Sequence, residues 1–246
     1  MIGVAPYDRS RGAAYVVFGK SDGEGVDAQS LGDAGLLLRG ATKGSATGWA
    51  VDAAGDVNRD GFGDVLVGAP HYPDGDHPFA YVVYGRAEPG RIVLQRRTLP
   101  GFSIKAERRT TRFGDAVAAA GDVDGDGTGD FLVGAPRSNF GNGTYSGAAY
   151  VISGKGIAGG TVMGGLVDLT TRSPRAFRVD GMIGARSSCS PVDPRPCHGD
   201  AVGDTLAPLG DMNGDGLADF ALAAQAAGPR REGAVFVVWG ARGLLR

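Results

Sequence analysis

Three times in 246 residues the chain sets acids at alternate positions of a glycine-rich nonapeptide and follows them with an apolar run. The most acidic copy is Asp122-Val123-Asp124-Gly125-Asp126-Gly127-Thr128-Gly129-Asp130, leading into Phe131-Leu132-Val133-Gly134-Ala135-Pro136. A second runs from Asp56 to Asp64 into Val65-Leu66-Val67-Gly68-Ala69-Pro70, and a third from Asp211 to Asp219 into Phe220-Ala221-Leu222. Carboxylates this dense repel one another and gain little from proximity unless a cation lies between them. Hard oxygens at alternate positions, completed by a backbone carbonyl, are what Ca²⁺ takes. Glycine lets the backbone wrap closely around the ion. Asp, Asn and Gly also favour plain turns, but turn chemistry does not require one acidic pattern three times over. An EF-hand would place a bidentate Glu at position 12 and flank the loop with helices. Position 12 here is Val67, Val133 or Leu222, so that reading fails.

The spacing of the copies predicts a longer repeat. Asp56 and Asp122 lie 66 residues apart, and Asp122 and Asp211 lie 89 apart. The excess falls on a cysteine-containing insertion and a longer loop near Gly156–Gly165. Before each acidic loop stands a short strand candidate opened by glycine, at residues 48–51, 114–117 and 203–206. After it comes the apolar run, closing as Gly-Ala-Pro in the first two copies and as Leu222-Ala223-Ala224 in the third. A variable loop then leads to a β-branched and aromatic run closed by glycine: residues 13–19, 79–85, 148–154 and 234–240. Such runs bounded by turn residues read as strands. A weaker strand follows at 36–38, 102–104 and 177–179. Four short consecutive strands per unit predict an antiparallel blade, and repeated blades predict an all-β propeller with the weak fourth strand at each rim. The expected division is a partial blade at 1–47, a blade at 48–113, a blade at 114–201 with the cysteine insertion, and a partial blade at 202–246. Two full blades and two partial ones predict an incomplete propeller, since closed propellers have about four to eight blades. Further blades, or a second copy of the chain, are the expected completion.

Composition agrees and removes some classes. Forty-four glycines with no Gly-X-Y period point to turns rather than to collagen. The net charge of −2 conceals ten loop aspartates among 27 acids, so the rest of the chain is mildly basic. No basic run interleaves with aromatics, so nucleic acid is not an expected partner. No apolar run approaches membrane-spanning length. The opening Met1-Ile2-Gly3-Val4-Ala5-Pro6 reads as the middle of a repeat and carries no visible signal sequence. The two cysteines, Cys189 and Cys197, enclose Ser-Pro-Val-Asp-Pro-Arg-Pro, a short loop suited to a local disulfide in an oxidising compartment.

Phe113-Gly114, the acidic loop and Gly134-Ala135-Pro136, recurring in fixed order, resemble the FG-GAP repeat of the integrin α-subunit propeller and its bacterial relatives. The resemblance runs from Gly3 to Gly240. Gly48-Trp49 and Val202-Gly203 depart from a strict Phe-Gly, and the third copy lacks Gly-Ala-Pro. It implies about three structural Ca²⁺ ions in an extracellular adhesion or recognition module. It carries over as ligands Asp56, Asn58, Asp60 and Asp64 with the Phe62 carbonyl; Asp122, Asp124, Asp126 and Asp130 with Thr128; and Asp211, Asn213, Asp215 and Asp219 with Leu217. The integrin recognition loops have no counterpart here, so a protein or carbohydrate ligand stays unassigned. A similar repeat region in phosphatidylinositol-glycan-specific phospholipase D leaves a second expectation, the accessory propeller of a larger secreted enzyme, and a third is a non-binding scaffold whose repeats only display loops. No catalytic constellation is legible. His71, His77 and His198 read as exposed loop residues, and Asn142-Gly143-Thr144 is a weak glycosylation sequon.

Overall fold

The computed structural model describes residues 2–4, 11–19, 21, 25–71, 78–107, 111–138, 146–155, 163–171, 173, 175–181, 199–228 and 232–245. Cys189, Cys197, the Asn142 sequon, His77 and His198 lie outside them. The described residues form sixteen strands and two short 3-10 turns, in four sheets.

The first sheet contains β1 (Ile2–Val4), β2 (Ala13–Val17) and β3 (Gly35–Gly40). The second contains β4 (Val51–Gly55), β5 (Asp64–Ala69), β6 (Phe79–Val83) and, after β7 (Gly90–Leu94), β8 (Gly101–Lys105). The third is built from β9 (Val117–Gly121), β10 (Asp130–Ala135), β11 (Ala148–Ile152) and, after β12 (Met163–Asp168), β13 (Ala176–Asp180). The fourth holds β14 (Val202–Gly210), β15 (Asp219–Ala224) and β16 (Ala234–Val238). Neighbouring strands within each of these sets run antiparallel, as the repeat predicts.

Strands β7 and β12 were not legible in the sequence. Strand β7 leaves the unit that contains it and pairs in parallel with β3 of the preceding sheet, Leu38 opposite Ile92. Strand β12 does the same against β8, Val167 opposite Ile104. Two expectations are corrected by this. Residues 163–165, read as part of a long loop, begin a strand. The weak strands β3 and β8 do not form the rim: β7 and β12 cover their outer edges, and Leu36, Leu38, Phe102 and Ile104 are buried. Only β13 of the three keeps a rim position among the described residues.

The first strand of each unit also starts later than expected in two copies. Gly48 and Gly114 adopt φ of +85° and +90°, and turn hydrogen bonds run from Trp49 N to Ala46 O and from Asp115 N to Arg112 O. The chain therefore turns before it extends. These glycines also explain the motif. A Cβ at Gly68 would lie 2.0 Å from the Gly114 carbonyl oxygen, and one at Gly134 would lie 1.9 Å from that of Gly203. Each Gly-Ala-Pro glycine is thus where the backbone of the next sheet presses in.

Apolar side chains pack in the three spaces between successive sheets. Leu36, Leu38, Val65, Val67 and Val83 lie between the first and second. Phe102, Ile104, Phe131, Tyr150 and Ile152 lie between the second and third, where the Phe102 and Phe131 rings are 6.0 Å apart. Val151, Phe220, Leu222 and Ala224 occupy the third space.

Candidate metal loops

All three acidic loops connect the first strand of a unit to its second, between β4 and β5, β9 and β10, and β14 and β15. Their hydrogen bonds repeat almost atom for atom. The ninth-position aspartate uses both oxygens. Asp64 accepts from Val57 N at 2.9 Å and Gly85 N at 2.8 Å. Asp130 accepts from Val123 N at 2.9 Å and Gly154 N at 3.1 Å, and Asp219 from Met212 N at 2.8 Å and Gly240 N at 2.9 Å. This residue therefore ties the loop to the glycine that closes the third strand. The backbone also passes close there: a Cβ at Gly85 would lie 2.3 Å from the Gly63 carbonyl oxygen, and one at Gly154 would lie 2.1 Å from that of Gly129.

The first-position aspartate caps the turn. Asp122 accepts from Gly125 N, Asp126 N and Gly127 N at 2.8, 3.0 and 2.8 Å. Asp211 takes the same three donors in its loop, and Asp56 takes two of them. The fifth-position carboxylates accept from the seventh-position N–H groups of Phe62, Thr128 and Leu217 at 2.9 Å each. The predicted aspartate and asparagine ligands thus hydrogen-bond within their own loops. The Phe62 side chain is exposed, so what this position offers the loop is its backbone.

The loops differ at position 3. Asn58 donates from Nδ2 to Asp60 at 2.7 Å, and Asn213 donates likewise to Asp215 at 2.9 Å. The middle loop has Asp124 there, and a carboxylate can donate nothing. Asp126 Oδ2 is accordingly buried with no hydrogen-bond partner, with Lys155 Nζ at 3.9 Å. Oxygens of Asp122, Asp124 and Asp130 lie within 4.8 Å of one another. A cation with oxygen ligands at roughly 2.3–2.6 Å fits a donor set of that span. Burial pushes the carboxyls up, Asp130 to about 7 and Asp64 to about 6, with neighbouring loop aspartates adding to the effect. Asp124 is raised for the same reasons. These carboxylates are held together against their own electrostatics.

The loops also touch across sheets. Arg59 of the first donates to Gly127 O of the second at 3.3 Å. The carbonyls of Asp122, Val123 and Asp124 accept from Ala218, Ala241 and Gly243 N. The middle loop is therefore wedged against the fourth sheet.

A cluster at the opposite strand ends was missed in the sequence. Arg112 stacks over Trp49, its guanidinium carbon 5.0 Å from the ring centroid, and pairs with Asp115 at 2.8 Å. His71 packs 5.7 Å from the same ring, half-buried rather than exposed as expected. Burial lowers its pKa, helped by Arg112 and Arg137, and burial raises Asp115 to about 6. Trp49, His71 and Arg112 lie tens of residues apart in one unit, and Asp115 and Arg137 come from the next, so no local spacing could announce them.

The repeated sheets with an acid-rich first turn and interlocked glycines define a class of acidic-loop propellers. The FG-GAP repeat family matches residues 47–92, 113–152 and 202–238, together half of the chain, and the chain belongs to that family. It is similar to Integrin alpha-PS2 of Drosophila melanogaster, 41% identical over 95 residues covering 34% of this chain and 6% of that protein. It is 38% identical over 120 residues to Phosphatidylinositol-glycan-specific phospholipase D of Bos taurus, covering 44% and 13%. Integrin alpha-5 of Xenopus laevis is 32% identical over 134 residues, covering 53% and 12%. The chain thus spans a small fraction of the length of these relatives. Its four sheets are blades of an FG-GAP β-propeller. No helix among the described residues is long and apolar enough to cross a membrane.

Proposed function

We propose that the chain is a Ca²⁺-stabilised recognition module acting outside the cell, with one structural ion in each acidic loop. The observation that carries this is the middle loop: four carboxylates in one turn, one of them with a buried oxygen that has no hydrogen-bond partner. Asp56, Asn58, Asp60 and Asp64, with the Phe62 carbonyl, would hold the first ion. Asp122, Asp124, Asp126 and Asp130 with Thr128 would hold the second, and Asp211, Asn213, Asp215 and Asp219 with Leu217 the third. When bound, the ion neutralises the loop and fixes the connection between the first two strands. The role assigned to these acids is one of binding: their hydrogen bonds to loop N–H groups hold them in place around the ion position. Protein or carbohydrate surfaces are the partners this role takes, neither nucleic acid nor a membrane interior. Association with another copy or with further blades is supported by the exposed apolar side chains of β16.

Calorimetric titration of EDTA-stripped protein tests the reading. About three Ca²⁺ per chain and a higher melting temperature are expected; no binding and no thermal shift would sink it. Similarity to the phospholipase D supports a second reading, the accessory propeller of a secreted enzyme. A catalytic domain in the same gene product would favour it.

A further inference from the structure

The space between the first and second blades is not completely filled. On the metal-loop side it holds an apolar cavity of about 330 Å³, at the lower end of small-ligand pockets, roughly 300–1,000 Å³. The other two inter-blade spaces show why. Leu36 follows Gly35, which pairs with Val17; Phe102 follows Gly101, which pairs with Val83 in the same way. Val65 pairs with Val83 as Phe131 pairs with Ile152. Leu36 and Val65 therefore stand where Phe102 and Phe131 stand one blade later. There the two rings are 3% and 0% exposed and fill the space. The third inter-blade space has Phe220, fully buried, at one of the same two register positions and Phe177, 36% exposed, at the other. Two aromatic rings are thus replaced by smaller aliphatic groups in one space of three, while the strand register around them is unchanged.

The recess opens to solvent past Phe62, and an apolar recess of this kind, edged by a few polar groups, suits an apolar guest. Tyr84 and Arg86 line this cavity beside Phe62 of the first metal loop, and Phe62 is 42% exposed. Among the described residues Arg86 is the one basic side chain in the lining, and it is held at the rim by a 3.1 Å hydrogen bond from Nε to the Glu88 carbonyl. An apolar chamber with a single guanidinium at its edge matches an amphipathic anion: an apolar body inside and a carboxylate at Arg86.

We propose that this cavity is a ligand site for medium-chain carboxylates, separate from the metal positions. Phe62 belongs to both, so the first acidic loop forms part of the ligand's doorway.

Decanoate is the probe, titrated calorimetrically into the Ca²⁺-loaded chain. Saturation at one decanoate per chain is expected. Val65→Phe and Leu36→Phe restore the side chains found in the next blade and should each weaken binding at least tenfold. Arg86→Gln should weaken decanoate several-fold and leave 1-decanol unchanged. Near-UV circular dichroism checks folding; if one filled variant is misfolded, the other, on the opposite wall, decides. Absence of decanoate binding overturns the proposal. So does binding that persists in the folded filled variant, which would place the fatty chain on the exposed face of β16 instead.

Discussion

Asp130 is the residue at which the loop's opposing demands meet. It must be buried to tie Val123 N and Gly154 N together, and burial lifts its carboxyl to about 7 from an ordinary 3.8. Without metal, the folded chain then holds more protons than the unfolded chain between about pH 4 and 7. By linkage, this group's contribution to metal-free stability is fully present below pH 4 and is lost as pH rises through 7. Each tenfold weakening of the acid corresponds to at most about 1.4 kcal/mol. Asp64 adds the same trend through about 6. Ca²⁺ requires the ionised carboxylates and reverses the penalty. The rise in melting temperature on adding Ca²⁺ should therefore be larger at pH 8 than at pH 5, as scanning calorimetry in EDTA and in Ca²⁺ would show. An equal rise at both values would contradict this account. Asp126→Ala removes the carboxylate whose Oδ2 has no hydrogen-bond partner. We expect it to lower the stoichiometry by one ion while the loops at 56–64 and 211–219 still bind, read by equilibrium dialysis. The acids were legible because their chemistry is local: most of the N–H groups they accept from lie within a few residues.

At the scale of strands and turns, legibility divides along the same line. Strands such as β5, β6, β10 and β11 are continuous apolar runs bounded by turn residues, and each pairs with a neighbour in sequence. Strand β7 carries only a short alternation, with Ile92 and Leu94 buried, and its partner β3 is some fifty residues earlier in another blade. Nothing local encodes a parallel pairing of that separation, so it read as connection. The same holds for the Trp49–Arg112–His71 cluster, whose members come together from points far apart in the chain. Ile92→Ala should cost about 2–4 kcal/mol by opening the core between the first two blades. Hydrogen exchange should then accelerate in β3, which is distant in sequence from the change, and not in β10. Gly134→Ala places a methyl group against the Gly203 carbonyl oxygen, a backbone atom with no rotamer to yield. A loss of about 1–3 kcal/mol or more is expected in chemical denaturation. Gly129→Ala, whose Cβ would meet no neighbouring atom, should cost far less.

Across the whole molecule the two ends are unequal. Strands β6 and β11 are buried along their length, whereas Val235, Phe236, Val237 and Trp239 in and after the corresponding β16 are 69%, 43%, 43% and 49% exposed. Among the described residues β16 pairs only with β15, leaving an open edge as well as an open face. Exposed edges and contiguous apolar surface both favour association. Light scattering should show a mass that grows with concentration, and Phe236→Lys with Val235→Thr should return it toward the monomer. An unchanged mass in the double variant would assign association elsewhere. The strands that reach backward, β7 and β12, also bear on how such a chain is made and shuffled. During synthesis the first sheet waits for residue 94 before its outer edge is paired, and the second waits for residue 168. Each of these blades is thus finished by its successor. A gene duplication that copied one repeat from acidic loop to acidic loop would carry its neighbour's last strand along, so the unit that can be inherited intact overlaps the unit the eye picks out.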